Sequence, residues 1–414
     1  MSFVERLVCS RCGTKYEPGE NPVMCRKRDL GRLDVVYDYD GISNRFDRRR
    51  LESRKSRDIW RYEELLPVSS GFAVRLGEGG TPLVHARRLG EKLGMKRLHL
   101  KDDTRNPTAS FKDRAMAVGS AKAIELKKKD VATASSGNAA ASLAAYSAGG
   151  AMSCHAFVPP EASAGKIAQL LLYGASITRC AQVKKGEDAT VKAMLDAVDR
   201  FGYYPCPSFG PFNPYQVEGP KTIVYELFEQ GALEGLDAIL VPTGSGCLLT
   251  GIWKGLRDLK ELDLIGDYPG IVAVQPAGNQ ALVRAIRKRA TFDRIVPESY
   301  PASVAGGLLD PYPWDGDAAM TGVRETRGGG VSVSDRDILR SVRELAAYEG
   351  IFAEPSGAAG LAGLEKSLSE GTIGRDDAVV VLVTGSGLKE PDRIIEMFDG
   401  KNVGGAKKPN RNRP

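Results

Sequence analysis

From Trp60 onward the chain alternates short, continuously apolar runs with longer stretches of helical character, and this alternation restricts the possible folds more than any other feature. Leu98-His99-Leu100, Ser153 to Val158, Ala238 to Val241, Ile271 to Gln275 and Ala378 to Val383 have the length and composition of strands. Between them lie helical stretches such as Ala168 to Tyr173 and Ala189 to Phe201. Strands that are apolar throughout are buried on both faces, and strands joined through helices run parallel. The expectation is an α/β protein with parallel sheets, helices on both faces, and a site at the carboxyl ends of the strands. At 414 residues and 42% hydrophobic content, the chain can bury two main domains.

The boundaries read as follows. Residues 1–40 form a small β-rich module ending in the strand-like Leu33 to Tyr39, and 41–106 a charged connector with the start of the large domain. Residues 107–215 form a small α/β domain, 216–400 the large α/β domain, and 401–414 a flexible basic tail.

Within this frame Asn106-Pro107-Thr108-Ala109-Ser110-Phe111-Lys112-Asp113-Arg114 places a lysine just after a turn. Ser110 is positioned to cap the following helix, and Lys112 falls in its first turn. There the exposed N–H groups and the helix dipole favour a neutral amine over an ammonium. A neutral amine attacks an aldehyde, so Lys112 is the candidate for a Schiff base with pyridoxal 5'-phosphate.

Three loops supply groups such a cofactor needs. Ser135-Ser136-Gly137-Asn138 follows the strand-like Val131-Ala132 and opens the Ala-rich helix from Ala139. Its free N–H groups suit a substrate carboxylate, and Asn138 suits a ring hydroxyl. Gly244-Ser245-Gly246-Cys247 follows a second strand; it lacks a dinucleotide pattern and a Walker lysine, so a cofactor phosphate is the better ligand. Thr384 ends the Ala378 to Val383 strand, where its hydroxyl can bond a pyridine nitrogen without charging it. A neutral ring is the milder electron sink, suited to elimination and replacement. Intact Lys112, Asn138 and Thr384 argue against a noncatalytic binding protein.

These segments, together with Phe157-Val158-Pro159, Gly165 to Leu170 and Asn213-Pro214-Tyr215-Gln216-Val217-Glu218-Gly219-Pro220-Lys221-Thr222, resemble the threonine synthase family. The resemblance spans roughly Trp60 to Asp399, with its motifs in family order. It implies the fold type II architecture of pyridoxal-phosphate enzymes and a homodimer acting on a small amino-acid substrate. It gives Lys112 the Schiff base and the proton transfers, and Asn138 a contact with the ring oxygen. It gives Gly244, Ser245, Gly246 and Cys247 the cofactor phosphate, Thr384 the pyridine nitrogen, and Ser135, Ser136, Gly137 and Ala139 the substrate. The implied reaction converts O-phosphohomoserine and water to threonine and phosphate. Gln216 stands where the family commonly has an arginine, Cys247 where it has asparagine, and Gly210-Pro211 where polar residues lie. These departures keep two relatives of the reaction open: a cysteate synthase-like replacement on phosphoserine with sulfite, and a serine or threonine dehydratase-like elimination.

Cys9, Cys12 and Cys25 resemble the zinc-ribbon-like beginning of many members of the family. Arg26-Lys27-Arg28 stands where the last cysteine is expected, so the zinc site is incomplete unless Asp29 or water closes it. The other cysteines read as structural thiols of a cytoplasmic protein. The net charge of +6 is modest for this length and calls for neither nucleic acid nor membrane. No apolar run reaches membrane-spanning length.

Overall fold

The apolar runs are strands, and all but Leu98-His99-Leu100 divide their side chains between two hydrophobic layers. In the computed structural model, which describes residues 2–160, 164–181 and 188–396, three sheets form. The basic tail 401–414 lies outside the described residues. At the N-terminus β1 (Val4–Cys9), β2 (Lys15–Tyr16) and β3 (Leu33–Tyr37) form an antiparallel sheet in the order β2-β1-β3.

Next come β4 (Leu83–His85) and β5 (Leu98–Asp102), then β6 (Asp130–Ala134), β7 (Ser153–Val158), β8 (Ser176–Arg179) and β9 (Tyr204–Pro205). The chain continues with β10 (Ala238–Pro242), β11 (Gly270–Pro276), β12 (Gly329–Val333) and β13 (Val379–Val383). The larger sheet has the order β12-β11-β10-β13-β5-β4, and the smaller β8-β7-β6-β9. The smaller sheet is parallel throughout. The larger departs from the expected all-parallel pattern at its edge, where β4 pairs antiparallel with β5. Only a short turn and the helix Arg87–Leu93 separate these two strands.

Burial explains the runs. In β10, Ile239 and Val241 face a layer with the helices Thr222–Glu229 and Cys247–Glu261, whereas Leu240 faces the helix Pro355–Glu370. In β6, Val131 packs on the helices Lys112–Glu125 and Asn138–Gly149, and Ala132 and Ala134 on Ala189–Phe201. A strand with both faces covered has no polar face, so its sequence reads as continuously apolar.

Candidate active site

A cleft of about 1060 Å³ opens at the carboxyl ends of β5, β6, β10 and β13, between the larger and smaller sheets. Its lining includes Lys112, Ser135, Ser136, Gly137, Asn138, Ala139, Gly244, Ser245, Gly246, Cys247 and Thr384. Residues from four separate segments thus converge on one cavity.

Lys112 is the first residue of the helix Lys112–Glu125. Ser110 does not cap it: the cap position is Phe111, no side chain bonds there, and the buried Ser110 hydroxyl has no partner. The frame is fixed instead by the next two side chains, which leave the helix roughly 100° apart. Buried Asp113 accepts hydrogen bonds from the Thr108 N–H and hydroxyl at 2.6 Å each and from Ser142 at 2.6 Å. Arg114 is fully buried and pairs with Asp103 at 2.8 Å and with Glu226. Gly219 lets the following segment pack on this turn, since a Cβ there would lie 2.0 Å from the Arg114 carbonyl oxygen.

The turn is also stitched to β13. The Phe111 N–H donates to the Thr384 carbonyl at 2.9 Å, and the Ser386 N–H to the Ala109 carbonyl at 3.0 Å. Lys112 Nζ donates to Ser208 Oγ at 2.9 Å. Ser208 Oγ in turn lies 3.8 Å from Cys247 Sγ. Ser208 is buried at φ +66 and was not singled out in the sequence, where only the Pro207 turn before it gives a signal.

The loop residues fit a phosphorylated pyridine cofactor. Gly246 takes φ +99 and leads directly into the helix Cys247–Glu261, whose N-terminus faces the cleft. A Cβ at Gly244 would come within 2.7 Å of Asp310 Oδ2, so only glycine leaves room there. Burial pushes the Cys247 thiol up to about 12, which keeps it neutral. Asn138 Nδ2 donates to Glu354 Oε1 at 2.8 Å, which fixes the amide at the cleft wall.

Asp310, which lines the cleft, and Asp315, packed against Gly246, are buried carboxyl groups that sequence reasoning missed. Burial raises Asp310 to about 6, with Lys112 and the Ser245 amide opposing. Burial raises Asp315 to about 7, opposed by Arg32 and the Gly210 amide, which donates at 3.0 Å. Neither announces itself in sequence, because each acquires its partners from distant segments. Gln216 is the reverse case. It is fully buried outside the cleft, where its amide donates to the Phe209 carbonyl at 3.3 Å.

In the N-terminal module, Cys9, Cys12, Cys25 and Asp29 offer ligand atoms within 4.8 Å of one another. Asp29 stands in the fourth position, 3.6 Å from Cys9 Sγ.

The fold and cleft define a class, the pyridoxal-phosphate dependent enzymes, and the family model of that description matches residues 74–385. The chain is 37% identical over 398 residues to threonine synthase of Methanosarcina acetivorans, covering 96% of this chain and 95% of the relative. It is 37% identical over 390 residues to threonine synthase of Methanocaldococcus jannaschii, covering 94% and 93%. The chain belongs to the threonine synthase family of pyridoxal-phosphate dependent enzymes. Its cofactor is pyridoxal 5'-phosphate, and it is a lyase. Solved structures share the fold at low identity. Diaminopropionate ammonia lyase from Escherichia coli aligns with TM-score 0.67 at 19% identity, covering 79% of this chain and 90% of that one. Maize serine racemase aligns with TM-score 0.65 at 22% identity, covering 77% and 92%. Among the described residues no helix is long and apolar enough to cross a membrane.

Proposed function

We propose that this chain is a threonine synthase, converting O-phosphohomoserine and water to threonine and phosphate. The observation that carries the reading is identity of 37% along nearly the whole length of two threonine synthases. The convergence of the sequence-derived residues on one cleft supports it.

Lys112 holds the cofactor and afterwards moves protons at the substrate's Cα and Cβ. Ser208 orients its amine through the 2.9 Å hydrogen bond. The N–H groups of Gly244, Ser245, Gly246 and Cys247 hold the cofactor phosphate, Asn138 meets the ring oxygen, and the Thr384 hydroxyl faces the pyridine nitrogen. Ser135, Ser136 and Gly137, with Ala139 beside them, take the substrate carboxylate at the head of the helix Asn138–Gly149. When bound, pyridoxal phosphate stores the electrons released at Cα and Cβ. The family also supports a homodimer. Cys9, Cys12, Cys25 and Asp29 form a donor set that suits zinc.

The test is direct. The purified holoenzyme absorbs in the visible, and Lys112→Ala removes that band and lowers kcat by about 10³-fold or more. Phosphate release is assayed with O-phosphohomoserine, phosphoserine, serine and threonine, with and without sulfite. Absence of turnover of O-phosphohomoserine, or faster turnover of phosphoserine with sulfite, would sink the reading.

A further inference from the structure

Lys389 is a cleft cation to which the reaction above assigns no task. Among the described lining residues the positive side chains are Lys112 and Lys389, and the negative ones Asp188, Asp310, Glu354 and Glu390. Lys112 is committed to the cofactor. Three of the carboxylates have local work. Asp188 caps the helix Ala189–Phe201, accepting from the Thr190 and Val191 N–H groups at 2.9 and 3.2 Å. Glu354 accepts from Asn138, and Asp310 lies against the phosphate loop.

The backbone beneath Lys389 is held from two sides. Its turn, Gly387–Lys389, follows β13, and Ser386 bonds Ala109 on one flank while the Gly387 N–H donates to the Phe352 carbonyl at 2.9 Å on the other. From this base the side chain reaches the helix Ala164–Leu172, where Nζ meets Gln169 Oε1 at 3.5 Å. That is a long, weak hydrogen bond for an ammonium. The charges that act on it are Glu354, which holds the Asn138 amide, and Asp113; Asp310, beside Gly244, is acted on by Lys112 instead. Asp113 already accepts three hydrogen bonds, from Thr108 and Ser142. Burial draws the Lys389 ammonium below the usual lysine range. A half-buried cation held this loosely is costly until an anion arrives.

Resting on the reaction proposed above, we propose that Lys389 is the counter-ion of the substrate's leaving phosphate, gripping it between the turn after β13 and the helix Ala164–Leu172. The substrate carries an anion at each end. The Ser135 to Gly137 loop takes the carboxylate, and the cofactor phosphate fills the glycine loop, so the remaining dianion requires a separate cation. As the Cγ–O bond breaks, its electron pair leaves on the phosphate, while the proton released from Cβ passes to the Lys112 amine. Charge therefore grows beside Lys389 as the bond lengthens, and an ammonium there aids departure as well as binding.

The experiment uses holoenzyme of the wild type, Lys389→Met and Lys389→Arg. Inorganic phosphate binding is measured by calorimetry, and KM and kcat with O-phosphohomoserine. Threonine, which has the same amine and carboxylate without phosphate, serves as the control ligand. Lys389→Met is expected to weaken phosphate binding and raise KM by about tenfold or more, the worth of one charge-assisted hydrogen bond. Lys389→Arg should recover most of both, with cofactor absorbance and threonine affinity unchanged. Parallel loss of threonine and phosphate binding in Lys389→Met would overturn the assignment, since it would mark a carboxylate anchor or a fold defect. So would unchanged phosphate binding. A wild-type enzyme that binds phosphate through Lys389 but does not turn over O-phosphohomoserine would sink the proposed reaction and leave the anion site standing.

Discussion

Asp310 shows how a single side chain can set the terms for cofactor loading. Its carboxyl lies against the Ser245 amide, one of the groups proposed to hold the cofactor phosphate, and burial raises it to about 6. An acid with a raised pKa in the folded state costs no folding free energy below its ordinary value; the cost accrues as pH rises from that value to the raised one and is complete above it. Above pH 6 its charge also opposes an incoming phosphate. Replacing it with asparagine is therefore expected to tighten pyridoxal phosphate binding by about tenfold or more at pH 8 and to change it little at pH 5. Fluorescence titration of cofactor-free protein at the two pH values checks this; equal ratios at both would show that Asp310 plays no part. Every other pH effect on cofactor binding is common to both proteins, so the ratio between them isolates Asp310. This residue was invisible in sequence because nothing near Asp310 in the chain hints at a loop more than sixty positions earlier. Lys112 was visible because its turn and helix start are local.

At the scale of an element, the helix Lys112–Glu125 owes its placement to the buried ion network behind it. Arg114 and Lys101 converge on Glu226, Lys101 at 2.7 Å, with Asp103 closing the far side of Arg114. Burial alone would push Glu226 up, but the two cations outweigh it and hold its carboxyl well below the ordinary range. Glu226→Gln leaves two buried cations short of a counter-charge and should cost roughly 3–5 kcal/mol. Thermal or urea unfolding measures it. A carboxylate with a lowered pKa confers stability that is complete above the unfolded pKa and is lost as pH falls. The deficit of the variant should therefore stand at pH 7 and shrink once pH drops below the ordinary glutamate range; a deficit independent of pH would contradict the ion-pair account. Elements of this kind divide cleanly in legibility. The strands β10 and β13 were readable because burial on both faces writes itself as an apolar run. β4 was not, being three residues at a sheet edge, and Ser110 misled because the cap chemistry it offers is replaced by tertiary contacts of Asp113 and Arg114.

On the scale of the whole molecule, the N-terminal module is joined to the α/β body through charges buried between them. Lys254 pairs with Asp34 of β3 and with Glu218 at 2.9 Å, Tyr37 donates to Glu218 at 3.0 Å, and Tyr39 to Asp258 at 2.6 Å. The cysteine set lies in the same module, so the proposed zinc site and the docking contacts belong to one small unit. Zinc analysis of purified protein is expected to give about one ion per chain, lost in Cys25→Ser and weakened in Asp29→Asn. Zinc-free wild-type protein of full stability would remove the metal from the account. The fourth position of this set was half legible: Asp29 was a candidate by proximity in sequence, but only the fold brings it to Cys9. The docking contacts have a further consequence in time. Tyr37 and Tyr39 lie 181 and 219 positions from their partners. At roughly 5–20 residues per second, the ribosome delivers those partners on the order of ten seconds or more after the module has emerged. The module is thus made well before the body it docks on, and its thiols have that interval in which to meet the proposed zinc ion before the docking contacts can form.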